Sequence, residues 1–124
     1  MFAEVKDSMA IAIGVDDYDG EIIRQIKACA LDLTTSAEIV LPGVIAITRT
    51  QDGQTGAWTV NDQSTVTDEL IITAISIWCA MRIGNPPNYD QLLKAYESLK
   101  GQMRISSHYT TYGGGGGDAD ADGD

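Results

Sequence analysis

The sequence predicts a mainly α-helical fold, a small bundle of about four helices that carries a β-hairpin insert and ends in a disordered acidic C-terminal tail. Apolar side chains recur at intervals of three and four residues in several stretches, which is the pattern of helices with one buried face. One stretch between them is rich in β-branched residues and contains an Asp-Gly turn signal. The last twelve residues contain no large apolar side chain.

An acidic turn separates the first two helices. Apolar residues from Phe2 to Ile13 recur at helical spacing and Gly14 follows as a stop, which predicts a first helix of about eleven residues. Three carboxylates then stand where the next helix exposes its unpaired N–H groups. These carboxylates belong to Asp16, Asp17 and Asp19, and the apolar stripe after them consists of Ile22, Ile26, Cys29 and Leu33. The alternative, a calcium site, lacks the ligand order of an EF-hand.

A β-hairpin is predicted at about residues 44–61. Residues 44–50 are rich in β-branched side chains, Asp52 and Gly53 supply turn chemistry, and residues 57–60 form the returning strand. An isolated hairpin is only marginally stable in water. This hairpin must therefore pack either on its own helices or on another subunit.

The third and fourth helices flank a proline-rich break at residues 84–88. Thr65 and Asp68 have capping-box spacing ahead of the third helix, at residues 68–83. Its side chains are apolar almost all round, so we expect this helix to be central. Proline ends it, because proline lacks the backbone donor and restricts the residue before it. The fourth helix is predicted to pack through Tyr89, Leu92, Tyr96, Leu99 and Met103.

The chain is strongly acidic, with 18 Asp and Glu against 8 Lys and Arg and a net charge of −10. This balance argues against a surface that holds nucleic acid or anionic membrane. Residues 113–124 contain four of the carboxylates, so residues 1–112, the predicted helical domain, still have 14 acidic against 8 basic residues. Residues 113–124 themselves are predicted to be a separate, disordered Gly/Asp-rich tail.

The sequence contains no recognisable catalytic, cofactor or metal site, and the chain is predicted not to be an enzyme. Cys29 and Cys79 each lie in an apolar helical pattern, which favours free core cysteines over a disulfide. The only histidine, His108, has no zinc-ligand spacing to them. The glycine run lacks the Lys and Ser/Thr of a phosphate loop. Because there is no stretch of about 18 apolar residues and no secretory signal, we expect a soluble protein made in a cytoplasm.

Two segments, one at each end of the predicted domain, have a distinctive order of residues. Residues 15–23, Val-Asp-Asp-Tyr-Asp-Gly-Glu-Ile-Ile, open the second helix with an acidic turn. Residues 96–109, Tyr-Glu-Ser-Leu-Lys-Gly-Gln-Met-Arg-Ile-Ser-Ser-His-Tyr, form a helix that runs into an Arg-x-Ser-Ser-x-Tyr-like end. In both segments and in their order, the chain resembles the head-tail connector family of tailed bacteriophages, over residues 3 to about 112.

The resemblance implies a structural virion protein with no catalytic activity and no cofactor. Subunits of this family form a homo-oligomeric ring at the head-tail junction, expected here to be a dodecamer. The ring docks on the portal protein, extends the DNA channel and offers a platform to a stopper or tail-completion protein. Double-stranded DNA passes through without specific binding, no membrane takes part, and the protein is made in the host bacterial cytoplasm. A lumen lined by carboxylates would repel phosphate, although the same charge also serves plain solubility.

Two groups of residues are candidates for the contacts of such a ring. The segment near the C-terminal end contains a cation, aromatic rings and polar side chains. This composition is typical of a segment that becomes ordered when it binds a partner. This predicted portal-binding group consists of Arg104, Ser107, His108, Tyr109 and Tyr112. Alternatively, these residues form a helix end that frays and has no binding role.

The second group lies on the hairpin, where aromatic and arginine side chains favour an interface. It consists of Arg49, Trp58 and Val60, predicted to cross to a neighbouring subunit. The alternative for these residues is packing on the hairpin's own helices.

Two other functions compete with the connector. An acidic binding module, such as an inhibitor that mimics the charge of DNA, predicts a monomer or dimer with carboxylates at phosphate-like spacing on one face. Another neck or tail-completion role is the second alternative. A connector predicts heterologous, head-to-tail contacts that close a ring. Net charge alone does not decide between these classes.

Overall fold

A computed structural model describes residues 1–9, 17–83 and 86–110, without the side chains of Ser107 and His108. The helices are α1 (Phe2–Ser8), α2 (Asp19–Thr35), α3 (Glu69–Arg82), α4 (Tyr89–Arg104) and the short α5 (Ser107–Thr110), and the strands are β1 (Ile47–Gln51) and β2 (Trp58–Asp62). The predicted fold class, mainly α with a hairpin between the second and third helices, is confirmed. The predicted tail at residues 113–124 lies outside the described residues.

Helix α3 is central, as its apolar composition predicted. It packs against α1, α2 and α4, and Ile71, Ala74, Ile75 and Cys79 are fully buried in the core. The capping box predicted for its start is wrong. Asp68 is itself the N-cap, because its backbone is extended and its Oδ1 accepts the N–H groups of the second and third helical residues.

Helix α2 packs on α3 through the predicted stripe, and its four residues Ile22, Ile26, Cys29 and Leu33 are fully buried. Of the three predicted carboxylates, Asp19 lies in the first turn, Asp17 precedes the helix and Asp16 lies outside the described residues. No side chain caps the N–H groups of this helix, whose N-cap is Tyr18. After the helix the chain turns back, so that the Ile39 N–H donates to the Leu33 carbonyl. Glu38 in this turn has a left-handed backbone, with φ +55°.

Helix α1 ends at Ser8, with Met9 as its C-cap, and residues 10–13 of the predicted span lie outside the described part. Its buried residues Phe2 and Val5 join the same core as α2 and α3. Helix α1 is therefore a short helix that packs on the core formed by α2 and α3.

The hairpin is antiparallel, with Ile47 opposite Asp62 and Gln51 opposite Trp58. Hydrogen bonds continue the ribbon toward its base, where the Thr65 N–H donates to the Val44 carbonyl and the Thr65 hydroxyl accepts the Val44 N–H. These bonds explain why Thr65 does not cap α3, since its hydroxyl belongs to the hairpin. Ile47 is buried and ties the ribbon to the helical core.

Helices α4 and α5 close the domain. In α4, Tyr96 and Met103 of the predicted stripe are fully buried, and Leu92 and Leu99 are partly buried against the core. Tyr89, also predicted to pack, is 40% exposed at the first residue of the helix. Trp78 of α3 also reaches Gln25 of α2, to which its indole N–H donates.

Candidate functional site

The hairpin residues predicted as subunit contacts share one face of the ribbon. The register places Arg49, Trp58 and Val60 on the face that also carries buried Ile47. The Arg49 guanidinium lies 4.1 Å from the Trp58 ring centroid, and a Cβ on Gly20 would lie 3.1 Å from its Cζ. Arg49 is therefore held between Trp58 and the first turn of α2. The hairpin packs on its own helices, whereas Trp58 remains 44% exposed and stays a predicted contact to a neighbour.

The C-terminal candidates differ in accessibility. Arg104 is exposed at the last residue of α4. Tyr109 is buried, and its hydroxyl donates to the Asp68 carboxylate at 2.9 and 3.0 Å. Burial and this hydrogen bond raise the pKa of Tyr109. Tyr109 thus anchors α5 to the start of α3, and Arg104 is the candidate that faces solvent. Outside the described part lie the side chains of Ser107 and His108 and all of Tyr112.

A polar network that sequence reasoning missed joins α2 to α4. The Tyr96 hydroxyl donates to Asp32 Oδ2 at 2.5 Å, and Lys100 Nζ donates to the same oxygen at 3.2 Å. The Cys29 thiol lies 3.7 Å from the Tyr96 hydroxyl. Burial is the main cause that raises the pKa of the Tyr96 hydroxyl, and its contacts with Cys29 and Asp32 raise it further. The network fixes the two helices together and leaves Tyr96 no access to solvent, so it is structural.

Basic side chains gather around α2 although the chain is acidic. Arg24 and Lys27 lie on its exposed face, and Arg49 packs on its first turn. Arg82 stacks on Trp78 at 4.2 Å, and Trp78 Nε1 donates to Gln25 of α2 at 2.9 Å. Arg24, Lys27 and Arg49 therefore lie at one helix, and Lys6 and Lys100 pair with its Asp19 and Asp32. The sequence holds one signal for this, because Arg24 and Lys27 are three residues apart on the side of α2 away from its apolar stripe.

The acidic turn before α2 holds an ion pair. Lys6 Nζ lies 2.8 Å from Asp19 Oδ1, and both side chains are more than nine-tenths buried. Asp17 is exposed and Asp16 lies outside the described residues. Within the described ranges, no three His, Cys, Asp or Glu side chains are grouped so as to hold a metal ion. Asp19 therefore serves to fix α1 to α2.

Both cysteines are free and buried, which confirms the prediction of two core thiols. Burial raises the pKa of each thiol to about 12. Each thiol is therefore a packed apolar group with little thiolate at neutral pH.

Comparison with known proteins adds no relative: the chain matches no protein-family model, no curated protein and no solved structure. Within the part of the chain that the structure describes, no helix is long and apolar enough to cross a membrane. The function is therefore argued from the residues and surfaces described above.

Proposed function

We propose that this chain is a subunit of the head-tail connector ring of a tailed bacteriophage. It docks on the portal protein, extends the DNA channel and offers a platform to a stopper or tail-completion protein. The expected assembly is a dodecamer that lets double-stranded DNA pass without specific binding. The function is architectural and requires no reaction and no cofactor.

The observation that supports this proposal most is the order of the two resembling segments along the fold. A short helix and an acidic turn lead into α2, whose first residue is Asp19. At the other end, α4 leads through Arg104 into α5, and Tyr109 ties that end to Asp68. This order of elements is the one that the resemblance to the connector family implies.

The distribution of charge argues against an inhibitor that mimics DNA. Such a protein needs a face of carboxylates at phosphate-like spacing, free to meet a basic partner. Here Asp19 and Asp32 are engaged by lysines, and Asp68 caps α3. The exposed face of α2 also carries Arg24 and Lys27, which suits contacts between unlike faces of neighbouring subunits.

The test is native mass spectrometry of the purified chain mixed with the intact portal ring encoded in the same genome. The proposal predicts a complex with one copy of this chain for each portal subunit. A variant that ends at residue 104 should keep its far-UV helical signal and lose portal binding. Absence of any complex with an intact portal would contradict the proposal.

A further inference from the structure

A groove lies on the side of α3 that faces away from α2. It has a volume of about 440 Å³ and lies between α1, α3 and the start of α4. Ile72, Ile77, Ala80 and Leu92 supply its apolar surface. The charged side chains that line it are both acidic, Glu4 and Glu69.

The carboxylates of this groove are accessible. Glu69 is exposed in the first turn of α3 and forms no ion pair among the described residues. Glu4 is 59% exposed and also accepts from the Met1 amino group at 2.9 Å. The groove therefore offers an apolar floor with negative charge at one end.

The exposed face of α2 has the opposite character. Arg24, Lys27 and Leu31 follow one another at intervals of three and four residues and form one stripe, here called the α2 stripe. Leu31 is 62% exposed, which is unusual for a leucine on a helix of a small domain. Arg24 pairs with Glu21, whereas Lys27 forms no ion pair within the described part. The stripe thus carries two cations at one end and one large apolar side chain at the other.

The groove is longer than the part of the α2 stripe that enters it. Four residues separate Lys27 from Leu31, about 6 Å along a helix at 1.5 Å per residue. Eight residues separate Glu69 from Ile77, about 12 Å by the same rise. A helix laid in the groove with Lys27 at Glu69 would therefore place its leucine on the apolar floor between Ile72 and Ile77.

The two surfaces also face roughly opposite directions. In α2 the stripe lies across the helix from Ile22 and Ile26, which pack into the core toward α3. In α3 the groove residues lie across the helix from Ile71 and Ile75, which pack in that same core. Surfaces that differ and point apart form heterologous contacts, which generate rings when the rotation closes.

We infer that the groove binds the α2 stripe of a second copy of this chain. Leu31 of one copy packs on the apolar floor between Ile72 and Ile77 of the next, and Lys27 pairs with Glu69. Charge complementarity fixes the direction of the contact, because two grooves or two α2 stripes would repel each other. This inference rests on the proposed function only in that it supplies the subunit contact of the ring.

Disulfide trapping tests the contact on the full chain without the portal, so its outcome is independent of the portal experiment. Lys27→Cys and Glu69→Cys chains are mixed, oxidised and analysed by mass spectrometry, while the buried native Cys29 and Cys79 stay unreactive. The expected product is the 27–69 heterodimer, in excess of the 27–27 and 69–69 homodimers. Lys94→Cys, at an exposed lysine of α4, is the matched control for position 27 and should yield about tenfold less product with Glu69→Cys.

A charge exchange gives a second readout. Lys27→Glu and Glu69→Lys should each weaken self-association, measured by sedimentation velocity at low salt, and an equimolar mixture of the two should restore it. Lys94→Glu should leave association unchanged, and circular dichroism checks that all variants are folded. Equal trapping from positions 27 and 94, no 27–69 product, or no recovery in the mixture would overturn the inference. If one of these results were obtained while the wild-type chain still bound the portal, the proposed function would stand and only this subunit interface would be rejected.

Discussion

Asp68 serves two elements at once. Its carboxylate caps α3 through the N–H groups of Leu70 and Ile71, and it accepts the hydroxyl of Tyr109 from α5. Removal of Asp68 should therefore affect both the start of α3 and the closing segment.

We expect Asp68→Ala to lower the free energy of unfolding by about 2 to 3 kcal/mol, the sum of a lost N-cap and a lost hydrogen bond to a charged acceptor. Tyr109→Phe should lower it by only about 1 to 2 kcal/mol, because the cap survives. Urea denaturation measures both. Asp90→Ala, at an exposed carboxylate in the first turn of α4, is the control and should have a smaller effect. Equal losses for Asp68→Ala and Asp90→Ala would contradict the double role.

Glu38, three residues after the end of α2, has a left-handed backbone with φ +55°, a conformation that favours glycine. Glu38→Gly should raise the free energy of unfolding by about 0.5 to 1 kcal/mol, because glycine adopts this conformation without steric cost. Glu97→Gly, inside α4, is the control and should lower it by about 1 kcal/mol. Thermal unfolding compares the three proteins. A destabilised Glu38→Gly variant would show that the Glu38 side chain makes a contribution that its backbone conformation does not explain.

Cys29 and Cys79 make stability depend on alkaline pH. Their thiol pKa values rise from 9.0 to about 12 on folding, so the unfolded chain loses these protons first. Stability is therefore fully present below pH 9 and falls as the pH rises from 9 toward 12. The melting temperature, measured from pH 7 to 11, should fall less steeply in Cys29→Ala/Cys79→Ala. Rapid reaction of the native thiols with a disulfide reagent at pH 8 would contradict their burial.

At the scale of elements, the periodicity of apolar residues in the sequence predicts some features of the fold and not others. The stripe from Ile22 to Leu33 and the β-branched run of the hairpin are local patterns, so helix, strand and buried face follow directly from the sequence. The contacts of Lys6 with Asp19 and of Tyr109 with Asp68 join distant residues, and no spacing encodes them. The contact of Arg49 with the first turn of α2 is of the same kind, and its predicted contact with a neighbouring subunit stays a prediction.

The buried Lys6–Asp19 pair joins α1 to the start of α2. Lys6→Met alone should lower the free energy of unfolding by about 3 to 5 kcal/mol, because it leaves an uncompensated carboxylate in the core. Lys6→Met/Asp19→Leu should recover most of that loss, since an apolar pair needs no desolvation of charge. Chemical denaturation of the single and double variants measures the coupling. A double variant no more stable than the single one would show that Lys6 and Asp19 contribute independently.

At the scale of the whole molecule, charge and apolar surface are separated. The groove between α1 and α3 is acidic with an apolar floor, and the exposed face of α2 is basic with an exposed leucine. One copy of the chain thus presents two unlike surfaces in roughly opposite directions, a property of ring-forming subunits. The hairpin adds Trp58 beside these helices, and α5 completes the end that carries Arg104.

The central claim is that copies of this chain form a head-to-tail ring on a portal. Electron cryomicroscopy of the chain mixed with the intact portal from the same genome tests it most directly. The account predicts a ring coaxial with the portal, with one subunit for each portal subunit and α2 of each copy in the α1–α3 groove of the next. Free chains beside unoccupied portals, or symmetric dimers joined through identical faces, would contradict it.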